Sequence, residues 1–177
     1  MEAIDTVKFL FVSLEPMLML FALAWAFRIG ATAKALLYMC LVMLGKEFID
    51  ISFQQGLLDL YNSASSKPGK MNLVAAWHLF YVASECAFVA ASYMLLTIHK
   101  VKIRKYIRVL VITAVVRSYL HMAQGIEVVG FTSSHIAPIY EYGLPILDYI
   151  MIAALFVGVY QCYQKRLELG ERIAWTS

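Results

Sequence analysis

The sequence predicts an all-α, polytopic integral membrane protein: a single bundle of about five transmembrane helices over residues 1–177, with the N-terminus outside and the C-terminus in the cytoplasm. Three observations carry that reading. The first is composition: 62% of residues are hydrophobic and 15% charged, where a soluble domain carries about a quarter charged. With a mean hydropathy of +0.71, lipid rather than water must cover much of the surface. The second is five apolar stretches, each near the ~20 residues that cross ~30 Å of hydrocarbon as a helix. They cover 7–27, 33–60, 71–97, 105–128 and 138–163. Helix is the only spanning form open to separate segments, because a lone strand leaves its backbone unsatisfied in lipid.

The third observation is the placement of basic residues. With the first loop, the third loop and the C-terminal tail in the cytoplasm, that side holds Arg28, Lys34, Lys100, Lys102, Arg104, Lys105, Arg108, Lys165, Arg166 and Arg172. The other side holds only Lys8, Lys67 and Lys70. This is a clear positive-inside bias, and the setting it suits is the bacterial inner membrane. A four-helix arrangement, with the first segment lying in the interface, loses part of that agreement.

Each stretch has its punctuation. The first follows an acidic start, Glu2 and Asp5, that lacks the basic region of a cleavable signal, and it ends at Arg28-Ile29-Gly30. Asn62 to Gly69, rich in Ser, Pro and Gly, separates the second from the third. The basic turn His99-Lys-Val-Lys-Ile-Arg-Lys-Tyr106 separates the third from the fourth. Its Lys100, Lys102, Arg104 and Lys105 are candidates for anionic lipid headgroups, besides their role in setting topology. Phe131 to Pro138 precedes the fifth. Pro16 and Pro145 permit kinks beside interior carboxylates, and Gly45 is expected to allow close helix approach. Cys40, Cys86 and Cys162 lack CxxC spacing and read as small buried hydrophobes.

Counting depth along the helices places an ionisable group of every stretch in the central third of the bilayer: Glu15, Lys46 with Glu47 and Asp50, Glu85, Arg117, and Asp148. Each costs roughly 2.5–3.5 kcal/mol at a helix centre, so these residues must face one another, face water or carry a proton. Lys46, Asp50 and Gln54 share one helical stripe, and Thr113, Arg117, His121 and Gln124 another. Five carboxylates against Lys46 and Arg117 leave three negative charges in excess. Such a band holds protons or attracts a cation.

These charges also have a purely structural reading, as register-fixing ion pairs such as Lys46–Asp50 or Arg117–Asp148. A second layer combines His78 and His121, at matching depth on neighbouring helices, with Trp77, Tyr81, Glu127, Tyr140 and Glu141 nearby. Two opposed imidazoles suit a haem or, with Glu127 or Glu141, a metal ion; they also suit a proton relay. His99 and His135 are expected to face solvent.

No P-loop, HExxH, GxSxG or dinucleotide fingerprint is present, which leans against an enzyme but leaves a membrane enzyme built on His78 and His121 open, and with no soluble basic domain no nucleic-acid partner is expected. The leading expectation is a channel or transporter for protons, inorganic cations or a small cationic solute. It needs no cofactor and is shared between copies or with a membrane-protein partner. One alternative is an electron-transfer or metal/haem subunit ligated by His78 and His121. Another is a non-catalytic or immunity-type subunit whose charges pair with a partner.

Overall fold

A computed structural model describes the backbone of residues 2–130 and 136–169 and the side chains of 14–66, 68–130 and 136–169. The side chains of Glu2, Asp5, Lys8 and Lys67, and the residues His135 and Arg172, lie outside the described residues.

The architecture is all-helical, with no strand among the described residues: α1 (Glu2–Ile29), a 3-10 turn (Gly30–Ala33), α2 (Lys34–Ser63), α3 (Lys67–Ile98), α4 (Lys105–Val129) and α5 (Ile136–Glu168). Four helical runs are long and apolar enough to cross a membrane: Leu14–Ser63, Pro68–Ile98, Lys105–Val129 and Ile136–Glu168. The first is 50 residues long and takes in most of α1, the 3-10 turn and α2. The helices outrun the apolar stretches at most ends, because a helix continues past the hydrocarbon until a turn signal stops it. Both Pro16 and Pro145 sit inside continuous helix.

Local chemistry sets the breaks. Gly30 adopts φ +78°, a left-handed conformation open to glycine at little cost, and the chain reverses there. Ser66 caps α3 by accepting the Gly69 N–H at 3.2 Å, with Pro68 in the first turn where no intrahelical N–H bond is needed. At its other end α3 closes with paired backbone bonds, Lys100 N–H to Thr97 O at 3.0 Å and Val101 N–H to Leu96 O at 2.8 Å. This is a Schellman closure, completed by Leu96 and Val101 packing into the core.

Helix order in space follows chain order. Phe53 stacks on Phe80 and Tyr38 on His99, so α2 and α3 run antiparallel. Contacts of His78 with His121 and of Lys46 and Arg117 with Glu85 continue the sequence into α4. Arg117 meets Asp148 and Arg104 meets Cys162, so α5 is antiparallel to α4. The bundle then closes on itself: Phe21 stacks on Phe156, and Arg166 donates to the Arg28 and Ile29 carbonyls. Those pairs rise together in number, so α1 and α5 are parallel. The Arg166 guanidinium thereby satisfies carbonyls left open where α1 ends. The α1–α2 turn, the α3–α4 turn and the end of α5 consequently share one end of the bundle, which gathers Arg28, Lys34, Lys100, Lys102, Arg104, Lys105, Arg108, Lys165 and Arg166. It is called the basic end below.

Burial is inverted relative to a water-soluble protein. Phe48 is 74% exposed and Glu85 0%, and large apolar side chains point outward from every helix. That pattern fits a membrane protein. The buried apolar core runs continuously from Met19, Ala22 and Ala26 through Leu36, Met39 and Met43 to Phe88, Leu110, Met151 and Leu155. Along every helix it lies between the interior charge and the basic end. Leu57 is the one buried apolar residue, among the described residues, on the other side of the charges.

Cysteine and glycine placements correct two expectations. Cys40 and Cys162 are buried, but Cys86 is exposed on the bundle exterior, because it follows Glu85 by one residue and points away from the interior. A Cβ on Gly45 would meet nothing within 4 Å. Gly45 instead lines an apolar groove of about 500 Å³ between α2 and α3, with Ala83, Ala87 and Ala91. Close approach occurs at Gly125, against His78, and at Gly158, against Tyr106 and Leu36.

Candidate functional site, a four-helix ion network

The interior charges of α2, α3, α4 and α5 form one connected network. Lys46 Nζ lies 2.6 Å from Asp50 Oδ2, 3.6 Å from Glu47 Oε1 and 3.1 Å from Glu85 Oε1. The same Glu85 oxygen lies 3.1 Å from Arg117 Nε, and Arg117 Nη1 reaches Asp148 Oδ1 at 2.5 Å. Asp50 Oδ1 accepts the Ser84 hydroxyl at 2.5 Å. Spacing explains the assembly: Lys46 and Asp50 are one turn apart on α2, while Ser84 and Glu85 stand at the same level on antiparallel α3.

Burial decides how strongly these groups act on one another. Asp50 and Glu85 are buried, as are Lys46 and Arg117. Charges so placed gain little from solvent and depend on their partners. Both cations are ion-paired, and Arg117 also sits 3.6 Å from Met151 Sδ. The carboxylates are not. Glu85 Oε2 has no hydrogen-bonding partner, and Glu15 Oε1 has none. Glu15 on α1 is half-buried, and no ion pair of the network reaches it.

Toward the end opposite the basic one lies the histidine layer. The His78 and His121 rings are 6.1 Å apart. Tyr81 stacks on His121 at 4.7 Å, and Tyr140 meets both histidines edge-on at 5.3 Å. Tyr140 Oη is 3.0 Å from His121 Nδ1, and the Tyr81 hydroxyl donates to Gln54 Oε1 at 3.4 Å. Trp77 packs on Tyr81. His78 Nδ1, His121 Nε2, Gln124 Oε1 and both carboxylate oxygens of Glu127 are buried without a hydrogen-bond partner. Among the described residues, no group of three or more His, Cys, Asp or Glu is arranged to hold a metal ion. The expected triad of His78, His121 and Glu127 or Glu141 is therefore not assembled. Aromatic rings occupy the space around the histidines instead.

The basic turn is spread out. Lys100, Lys102 and Lys105 are exposed at the basic end, while Arg104 is half-buried and donates to Cys162 Sγ at 3.3 Å. His99 is exposed, with its ring stacked on Tyr38. Sequence reasoning had not picked out Ser84, Met151, Gly125 or Gly158. Ser84 was within reach of it, since it precedes Glu85 and so shares the level of Asp50.

No known protein family matches the chain, and no curated protein or solved structure is similar to it.

Proposed function

We propose that the protein is a small membrane channel or transporter for protons, inorganic cations or a small cationic solute, built around the band of Glu15, Lys46, Glu47, Asp50, Glu85, Arg117 and Asp148. One observation carries this reading: buried Glu85 gives a single oxygen to both cations while its second oxygen has no partner. A network meant only to fix helix register is most stable when every buried polar atom is paired. This one keeps carboxylate capacity unpaired and an excess of three negative charges, as a site that gains and loses positive charge requires.

The apolar core on one side of the band favours a carrier over a standing pore. Met43, Phe88, Leu110, Met151 and Leu155 close the interior between the charges and the basic end. Passage through one chain requires this plug to rearrange; otherwise the path lies between copies or against a partner. The proposed topology is five crossings, with the basic end in the cytoplasm of a bacterial inner membrane and the N-terminus outside. Parallel α1 and α5 and the clustering of basic residues both favour it.

Cation and proton flux in proteoliposomes tests the reading, comparing wild type with Asp50→Asn and Glu85→Gln at equal reconstitution. Flux lost in both variants supports transport through the band, and unchanged flux in both refutes it. If well-folded wild type passes neither protons nor cations, the partner reading takes its place. Lys46 and Arg117 are already paired within the chain, so such a partner must bring positive charge.

A further inference from the structure

Among the described residues, buried interior polar atoms without a hydrogen-bond partner lie in the band and on one side of it, with Ser92 Oγ an exception on the other. From Glu85 toward the opposite end they continue as His78 Nδ1, His121 Nε2, Gln124 Oε1 and the two Glu127 oxygens. On α4 the members fall three or four residues apart from Arg117 through His121 and Gln124 to Glu127, so they form a ladder. Ten residues of helix make that ladder about 15 Å long, reaching the last turn of α4. His78 and His121 are 6% and 3% exposed, so these nitrogens lie inside the bundle. A buried polar atom with no protein partner is normally satisfied by water, and a line of them marks a hydrated path.

On the other side of Glu85 the interior is apolar, with Ser92 Oγ the one hydroxyl there, among the described residues, that is buried without a partner. The core from Met43 and Phe88 to Val159 and Cys162 is one continuous apolar cluster. The hydroxyls buried within it are isolated. Thr113 donates back to Val109 O at 2.8 Å, and Tyr106 meets Cys162 Sγ at 3.9 Å.

We infer that the carboxylate band is reached from the end opposite the basic one alone, through a hydrated ladder of Glu127, Gln124, His121 and His78, and that the ion it takes is the proton. This rests on the transport reading above and narrows it. The choice of ion follows from ligand count. A metal cation needs several oxygens at once, about six to eight for calcium. The unpaired carboxylates here stand singly, at Glu15, Glu85 and Glu127. A lone carboxylate or imidazole suffices for a proton, which Glu127, His121 and His78 each take on one atom and release from another or to bridging water, leaving the chain unchanged after transfer, while the Gln124 amide does not titrate and only holds water between them. Tyr81 and Tyr140, packed on His121, fix its ring between Arg117 below and Gln124 above.

Two measurements on the full chain test this separately from the transport reading. In proteoliposomes, a pH-sensitive dye should report proton uptake that is unchanged when potassium is replaced by sodium or choline. Glu127→Gln and His121→Asn should slow it by about tenfold or more, as loss of relay groups does, whereas Asp59→Asn on exposed α2 should not. Wild-type flux that needs sodium or potassium overturns the proton assignment. Flux abolished by Glu85→Gln but untouched by Glu127→Gln and His121→Asn overturns the ladder and leaves transport standing.

The second measurement needs no flux. In a Cys86→Ala background, Gln124→Cys should react with a charged, membrane-impermeant thiol reagent added on the side opposite the basic end, and Leu110→Cys from neither side. Labelling of Leu110→Cys from the basic side, or protection of Gln124→Cys from both, overturns one-sided access. If wild type passes cations but no protons, the proton ladder falls and the transport reading stands; if it passes neither, both fall together, and the labelling alone decides access.

Discussion

Lys46 and Arg117, on different helices, meet at a single atom: Oε1 of Glu85 stands 3.1 Å from Lys46 Nζ and 3.1 Å from Arg117 Nε. One carboxylate therefore holds two buried cations, and with them α2, α3 and α4. Glu85→Ala leaves both cations to Asp50 and Asp148 and opens a cavity between them. Breaking a buried ion pair from one side costs about 3–5 kcal/mol, so a steep loss of thermal stability in detergent is expected. Glu85→Gln keeps the volume and should fall between. An alanine variant as stable as wild type rules out Glu85 as the tie between these helices.

Arg117 and Asp148 offer a cleaner measure of pair energy, because Asp148 is the contact Arg117 makes with an acidic residue of α5. Arg117→Met and Asp148→Leu, singly and together, form a double-mutant cycle read by unfolding midpoints. Residues in one buried network couple by about 0.5–3 kcal/mol, and the double variant should be less damaged than the sum of the singles. A coupling near zero means that water or Glu15 replaces the lost partner at little cost.

The band was legible in the sequence because one physical rule dominates it. A charge in a long apolar helix is too costly to leave facing lipid, so counting residues from the helix ends recovered Lys46, Asp50, Glu85, Arg117 and Asp148 at one level. Helix existence was legible for the same reason, and the pairing of Arg117 with Asp148 followed from depth alone. Depth is silent on rotation and on contact distance. Hence Cys86, one residue from Glu85, was misplaced inside, and Gly45 was assigned a close approach that belongs to Gly125 and Gly158. The one-sidedness of the core was also hidden. Met19, Met43 and Met151 look like any apolar residue until packing puts them together.

Glycine substitutions separate the two kinds of site. A Cβ on Gly158 would stand 2.9 Å from Tyr106 Cδ2 and 3.1 Å from Leu36 Cδ1. Gly158→Ala should therefore overpack the core and cost about 1–3 kcal/mol. Gly45→Ala enters open space and removes a flexible residue from mid-helix, so stability should hold or rise by up to about 1 kcal/mol. Thermal unfolding of both variants checks the contrast, and equal destabilisation contradicts the packing.

The α3 closure carries a correctable strain. Lys100 sits at φ +50° in the position after the helix end that glycine favours, and its backbone N–H bonds Thr97 O there. A side chain in this conformation costs roughly 1–2 kcal/mol, against which the freedom glycine adds to the unfolded chain is smaller. Lys100→Gly should thus raise the unfolding midpoint while keeping the turn. It also removes one basic residue from the cytoplasmic side of the proposed topology, where several others remain, so orientation should not change. Unfolding in detergent together with protease protection in inverted vesicles measures both effects. A lower midpoint with unchanged orientation means that the Lys100 side chain makes a stabilising contact outweighing its backbone strain, for instance with anionic headgroups. Repeating the unfolding in detergent micelles doped with anionic lipid then tells the two apart, since headgroup binding predicts a midpoint that rises with lipid charge for wild type but not for the glycine variant.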